Sequence, residues 1–364
     1  LLREAEDEEP KVAPRKRRRR TKLWYNGRVK ARKKSSQSSR LTVSQESEAK
    51  LRACRVTADE DDNYGLDADA ESQLLLEAGA RAVAEAEIRA ATGPELAHWK
   101  LAAEKEVQES FYKMGAVSET TAAELAEVGG QSGVLPMKAV WTIKPGEVFK
   151  CRGCVCGNFE TKDPTEQVWT AQAETSSVMS GLRLAQIRDW DIYKLDVKGA
   201  FMYAPLPEDV LIVVRPPKIW VTLGLVDEGT LWTLRRAVYG LRCAPRCWGL
   251  ERDRQLRAAR WTHKEKTYML KQCTSDSQVW KIIQEGDTSK TTLGLLVCYV
   301  DDMLLLAKAD DRQKGLRTYL KGIWNMSTDV ALTKETPMTF IGLELERQGN
   351  GDLKVHQRTF IKQL

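Results

Sequence analysis

The chain has 364 residues, 42% of them hydrophobic and 30% charged, which is long enough for one large or two ordinary domains with a real core. A mean hydropathy of −0.44, and no apolar run near the ~18 residues of a membrane span, leave no candidate transmembrane helix. The formal charge of +6 is unevenly spread: residues 1–34 carry a net of +9, residues 35–95 a net of −7, and the remainder +4. Three scattered histidines (His98, His263, His356) exclude a His-rich metal site. Eight cysteines without an apolar leader point to reduced thiols in an intracellular protein. The chain opens at Leu1 without Met or a secretory stretch, so it is expected to be a piece of a longer coding unit.

Residues 1–93 read as a disordered charged linker. An acidic patch (Glu4, Glu6, Asp7, Glu8, Glu9) precedes six consecutive cations, Arg15 to Arg20, and such blocks self-repel and bury little apolar surface. The basic run stands equally for a solvated linker and for an arm that binds nucleic acid or an import receptor. One helix is expected within the Ala/Glu/Arg-rich residues 71–91. A folded body is expected from Pro94, a residue suited to the first turn of a helix. From Glu95 to Met114, Leu96, Trp99, Ala103, Val107 and Phe111 share one helical face. Residues 137–160 read as a hairpin turning at Lys144-Pro145-Gly146-Glu147. Within it, Cys151, Cys154 and Cys156 form C-x2-C-x-C, but no fourth zinc ligand lies nearby, and Cys154 and Cys156, on one face of the strand, are read as small apolar packing residues.

Two later segments carry candidate chemistry. Asp191 to Phe201 opens like a strand, and Asp196 falls at its end. Leu293 to Leu306 places Asp301 and Asp302 between two apolar runs of strand length, so the simplest geometry is a hairpin with both acids at its tip. An ordinary Asp-rich turn is the common explanation of such a pair. Strands this apolar are buried on both faces, however, and would present the acids from inside the domain, at a cost unless water, cations or partners meet them. The chemistry that fits is two-metal phosphoryl transfer, in which two hard cations about ~4 Å apart share carboxylate oxygens. Asp196 and Asp301 are the primary ligand candidates and Asp302 an auxiliary one.

At these residues the sequence resembles a known family. Tyr299-Val300-Asp301-Asp302 resembles the Tyr-x-Asp-Asp box of reverse transcriptases, and Asp196-Val197-Lys198-Gly199-Ala200-Phe201 their first catalytic box. Leu234 to Trp248, containing Tyr239-Gly240-Leu241 and Ala244-Pro245-Arg246, is similar to a box of copia-type retrotransposon polymerases. Phe340-Ile341-Gly342-Leu343 and Lys150-Cys151-Arg152 with Gly157 resemble two further boxes of that group, while Trp99-Lys100 with Glu104 resembles its opening helix and Trp141 its first finger strand. The likeness runs in order over residues 94–364.

The resemblance implies an α+β right-hand polymerase. Fingers would come from about 94–175 and 205–240, palm from about 176–204 and 241–335, and the start of the primer grip and thumb from 336–364. The palm would be a small antiparallel sheet with strands near 190–197, 293–300 and 303–307, packed on helices near 174–188 and 243–259. The implied activity is RNA-directed DNA synthesis in retrotransposon replication, with an RNA template, a DNA primer and deoxynucleoside triphosphates as partners and two Mg2+ (or Mn2+) ions as cofactor. Asp196, Asp301 and Asp302, with the Val197 backbone, would hold the metals. Lys150, Arg152, Phe201, Tyr239 and Cys243 would bind the nucleotide, Phe201 as the gate against a 2′-hydroxyl. Ala244, Pro245, Arg246, Tyr299, Phe340 and Gly342 would border template and primer. The implied location is the cytoplasm and/or nucleus.

The sequence departs from the family pattern where Cys243 replaces a Gln and where Cys156 and Asn158 replace a Lys and an aromatic residue. Ribonuclease H, protease and integrase motifs are not recognised, and most of the thumb is expected to be missing. A catalytically dead nucleic-acid-binding remnant is therefore the alternative reading, and a metal-dependent nuclease on the same carboxylates a weaker third.

Overall fold

The computed structural model describes residues 80–160, 168–289 and 291–362. Residues 1–79, with most of the expected linker and the Arg15–Arg20 run, lie outside them. The body starts earlier than Pro94. Strand β1 (Arg81–Val83) pairs antiparallel with a later strand, and helix α1 (Glu85–Ala90) buries Ile88 completely.

Helix α2 (Gly93–Lys105) continues as a π-helical turn, Glu106–Tyr112. Trp99, Ala103, Val107 and Phe111 are all 0% exposed, so the 3.6-residue apolar period lies against the core as the sequence indicates. Then follow β2 (Val117–Glu119), helix α3 (Ala122–Glu127), β3 (Leu135–Lys144), β4 (Val148–Val155), helix α4 (Thr175–Ile187), β5 (Asp191–Asp196), β6 (Val213–Arg215), helix α5 (Lys218–Thr222) and β7 (Trp232–Leu234). Helix α6 (Ala244–Ala258) leads into β8 (Arg260–His263), β9 (Lys266–Gln272), β10 (Val279–Gln284), β11 (Gly294–Tyr299) and β12 (Asp302–Ala307). The remaining elements are helix α7 (Asp311–Ile323), β13 (Val330–Ala331), β14 (Met338–Phe340), β15 (Leu343–Arg347), β16 (Leu353–His356) and helix α8 (Arg358–Ile361).

These strands form three sheets in a mixed α+β arrangement. The first has six strands in the order β1-β3-β6-β7-β2, with β4 on the other edge of β3. The β3–β4 hairpin closes as expected, Lys144 pairing with Val148 around Pro145, Gly146 and Glu147. The second is antiparallel throughout, in the order β13-β5-β12-β11-β10-β9-β8. The expected small sheet is thus corrected to seven strands: β8, β9 and β10 extend it beyond β11, and β13 adds to its other edge beside β5. β8 and β9 have a mixed polar and apolar sequence, Lys266 to Gln272 for example, which gives a weak strand signal. The third sheet is β14-β15-β16.

The second sheet is covered on both faces. Leu195, Leu296, Cys298, Met303 and Leu305 belong to a core with Trp248 and Leu256 of α6 and Leu316 and Leu320 of α7. On the opposite face Ile192, Val297, Leu304 and Leu306 pack with Val178, Leu182 and Ala185 of α4 and with Phe340 and Leu345 of the third sheet. This alternation is the period-two pattern of a strand. It explains why β11 and β12 are almost wholly apolar: each buried Leu or Val contributes roughly 1.5–3 kcal/mol. α4 approaches so closely that a Cβ on Gly181 would lie 2.9 Å from Leu306 Cδ1.

Candidate active site

The β11–β12 register pairs Tyr299 with Asp302, which leaves Val300 and Asp301 as a two-residue turn. Val300 adopts φ 52°. That left-handed conformation suits Gly, and it costs a β-branched residue on the order of 1–3 kcal/mol. The turn is held from beneath: Trp248 Nε1 and Arg252 Nη1, both on α6, donate to the Val300 carbonyl at 2.8 and 3.0 Å.

Strand β12 also pairs with β5, and this register sets Asp302 directly opposite Asp196. Val197 N donates to the Asp301 carbonyl at 3.2 Å. Asp196, Asp301 and Asp302 therefore share one end of the seven-stranded sheet. Their charges interact. Burial, then the neighbouring Asp302 and Asp196 carboxylates, push Asp301 up to about 6. Burial and Asp196 raise Asp302 as well, against the pull of Lys194, whose Nζ lies 3.2 Å from Asp302 Oδ1. Lys194 Nζ also donates to the Thr339 carbonyl at 3.2 Å and so ties the acid pair to β14.

Among the described residues no group of three or more His, Cys, Asp or Glu side chains is arranged to hold a metal ion by itself. The donors at the sheet end are hard carboxylate oxygens in mutual repulsion and partly open to water. Mg2+ is typically held by one or two such carboxylates, with water and substrate phosphate completing its shell. The residues present fit that ion.

Strand β4 supplies the opposing charge. Lys150 and Arg152, two residues apart, lie on one face of the strand. The Arg152 guanidinium sits over the Tyr239 ring, 5.1 Å from its centroid. Phe201 packs edge-on against the same ring at 4.9 Å. The Arg152 charge acts on Asp301, and the Asp196 carboxylate acts on Lys150. Burial, then the nearby Arg152 and Lys144 cations, lower Lys150 to about 8. Burial drives the Tyr239 hydroxyl well above its ordinary range. Gly240 has φ 90°, and a Cβ there would lie 1.9 Å from the Val155 carbonyl. Beside it, Val155 N donates to the Tyr239 carbonyl at 2.7 Å, so this Tyr-Gly pair docks on the end of β4.

The structure thus gathers Asp196, Asp301, Asp302, Lys150, Arg152, Phe201 and Tyr239 around one space. Cys243 stands at the N-cap of α6, its carbonyl accepting from Cys247 N at 2.9 Å. Pro245 and Arg246 are half-buried in the first turn, and Tyr299 is half-buried beside Asp302. Ala244 and Phe340 differ from expectation: each is only 1% exposed, because each is packed into a core, so they shape their segments and their side chains point inward. Gly342, at φ 74° after Ile341 at φ 47°, makes the tight β14–β15 turn. Cys151, Cys154 and Cys156 are buried, and burial raises Cys151 far above the ordinary thiol range.

Sequence reading missed several residues that build this site. Lys194 is one. Glu106 is another: it is buried, accepts from Gly153 N at 3.0 Å and Ser110 Oγ at 2.8 Å, and lies near Lys150 and Arg152. Glu104, noted from the sequence, is exposed. Arg252 is a third. Both Glu106 and Arg252 are lone charges in apolar helical stripes (Trp99, Ala103, Val107; and Ala244, Trp248, Leu256), a signal that was available.

Among the described residues no helix is long and apolar enough to cross a membrane. Residues 131–364 match the family described as reverse transcriptase (RNA-dependent DNA polymerase). The chain is 28% identical over 206 residues to the retrovirus-related Pol polyprotein from transposon TNT 1-94 of Nicotiana tabacum, covering 54% of this chain and 14% of that polyprotein. It is 30% identical over 163 residues to the Ty1-ER2 Gag-Pol polyprotein of Saccharomyces cerevisiae, covering 44% of this chain and 8% of that one. A truncated Ty1-A Gag-Pol polyprotein of the same yeast is 30% identical over 146 residues, covering 40% of this chain and 10% of the polyprotein. The chain thus spans about a seventh or less of the length of these relatives. With more than half of its length matched, and with the acid hairpin and its facing strand falling within that match, the chain belongs to the reverse transcriptase family, as a copia-type domain of the kind carried in retrotransposon Pol polyproteins.

Proposed function

We propose that the chain performs RNA-directed DNA synthesis, adding deoxynucleotides to the 3′-hydroxyl of a DNA primer on an RNA template. The observation that supports this most strongly is the register that sets Asp302 opposite Asp196, with Asp301 on the adjoining turn and Arg152 acting on it from β4. In this reading α2 and the first sheet apart from β1 belong to the fingers (94–175 and 205–240). The second sheet with α4, α6 and α7 belongs to the palm (176–204 and 241–335), and the third sheet to the primer grip (336–364).

Asp196, Asp301 and Asp302, with the Val197 backbone, would hold two Mg2+ or Mn2+ ions. Bound there, the ions supply activation of the primer hydroxyl and neutralisation of the departing pyrophosphate. The chain's own residues bind and orient. Arg152 offers a planar fork to the triphosphate oxygens and Lys150 a second cation. Held edge-on against Tyr239, the Phe201 ring would exclude a 2′-hydroxyl. Cys243, Pro245, Arg246, Tyr299 and the Gly342 turn border the nucleotide, template and primer. Burial of Asp301 strengthens every charge interaction at the reacting centre.

The test is Mg2+-dependent deoxynucleotide incorporation on a primed RNA template, with Asp301→Asn alongside. Loss of activity in the variant alone supports the reading; equal incorporation by both proteins refutes the site. A second reading, a nucleic-acid-binding remnant without turnover, draws on the Lys194–Asp302 ion pair, which occupies a carboxylate that a metal would need. It predicts primer–template binding with no incorporation by either protein.

A further inference from the structure

We infer that Arg252 is a positioning residue for the proposed polymerase site, which clamps the Val300 carbonyl and so sets the turn that carries Asp301 and Asp302. The inference rests on the polymerase reading for its kinetic consequence and on geometry for the rest. Arg252 is 1% exposed, which is costly for a guanidinium unless its donors are met. They are met by groups from three parts of the chain. Nη1 donates to the Val300 carbonyl at 3.0 Å. Nε and Nη2 donate to Asp253 Oδ1 at 3.2 and 3.0 Å. Nη2 also donates to Gln278 Oε1.

The partners are themselves fixed. Gln278 accepts from Cys298 N through its carbonyl at 2.9 Å and donates from its own N to Asp276 Oδ1 at 2.9 Å. Asp253 Oδ2 accepts from Gln272 Nε2 at 3.2 Å. Trp248, one helical turn before Arg252, supplies the second donor on the same carbonyl at 2.8 Å. Two donors on one carbonyl leave it little freedom to rotate, and rotation of that peptide unit is the motion that would release Val300 from φ 52°. The hydrogen-bond partners of Arg252 are Val300, Asp253 and Gln278, none of the three site carboxylates. Arg252 therefore acts through Val300 and touches none of the reacting atoms.

The test compares wild type, Arg252→Met, Arg252→Lys, the double variant Arg252→Met/Val300→Gly, and Leu182→Ala. Leu182→Ala is a destabilising control in the core beneath α4. Measured on a primed RNA template, Arg252→Met should lower kcat by roughly 10- to 100-fold with little change in the KM for deoxynucleotide. Arg252→Lys, a cation without the fork, should recover only part of it. Adding Val300→Gly should restore part of the loss, because Gly holds the left-handed conformation without a clamp. Leu182→Ala should lower the melting temperature without that kcat pattern, and Val300→Gly should not improve it.

The inference is overturned if Arg252→Met loses kcat only in proportion to its melting temperature, or if Val300→Gly brings no recovery. Should wild type itself show no incorporation, the polymerase reading fails separately, and hydrogen exchange then decides the clamp. Protection of the Val197 amide, which donates to the Asp301 carbonyl, should fall in Arg252→Met and persist in Leu182→Ala. Should Arg252→Met not fold, Asp253→Asn carries the same tests with smaller effects in the same direction, and unchanged kcat and exchange in it would overturn the inference.

Discussion

Lys150 is the residue whose chemistry turns most directly into a measurable pH dependence. Burial and the adjacent Arg152 and Lys144 hold it at about 8, far below an ordinary lysine. Its charge is present below that pH and is lost as pH rises through it. The KM for deoxynucleotide should therefore rise above pH 8, while Lys150→Arg, which stays charged, should flatten the rise. A KM independent of pH in both proteins would remove Lys150 from the binding site. Asp301 illustrates the opposite case at the same site: burial and two neighbouring acids favour its neutral form. In the proposed reading a cation arriving there would meet carboxylates that repel one another, which is the electrostatic reason a divalent ion would be favoured at the sheet end.

At the scale of elements, most of the secondary structure was legible, and the reason is visible in particular residues. Leu304, Leu305 and Leu306 are continuous because β12 is covered on both faces, so the run itself announced a buried strand with acids at its tip. Tyr239-Gly240 was legible as a motif but not as geometry; only the structure shows Gly240 wedged against Val155. Gly240→Ala should cost several kcal/mol, since it combines an unfavourable φ with a 1.9 Å clash against backbone, and chemical denaturation would measure it. The strands β8 to β10 and the Lys194 bridge were not legible. β8 and β9 mix polar and apolar residues, β10 (Val279–Gln284) is apolar but carries no chemical motif that ties it to the acid strands, and the Lys194 bridge depends on β5–β12 register, which no local pattern encodes.

Helix α3 offers a separate test of an element. Glu124 bonds the Thr121 backbone and side chain and meets Arg235 Nη2 at 2.6 Å, which together lower it to about 2. A depressed carboxylate stabilises the folded state above its ordinary value of 4.5, and that contribution is lost as pH falls toward about 2. The protection factors of the α3 amides, taken relative to their intrinsic exchange rates at each pH, should therefore fall between those pH values, and Glu124→Gln should remove the dependence. Protection factors in α3 that are equal at pH 5 and pH 2.5 would contradict this.

At the scale of the whole molecule, three sheets and the helices between them bring an acid turn, an acid strand end and a cationic hairpin to one space. β5 and β12 set the acids, β4 sets the cations, and α6 fixes the turn that joins them. The family assignment and the geometry meet in these few residues, and the proposed activity stands or falls with Asp301. The most direct measurement is Mg2+-dependent deoxynucleotide incorporation on a primed RNA template by wild type and Asp301→Asn. The account predicts incorporation by wild type and its loss in the variant with the fold intact; equal incorporation by the two proteins would contradict it.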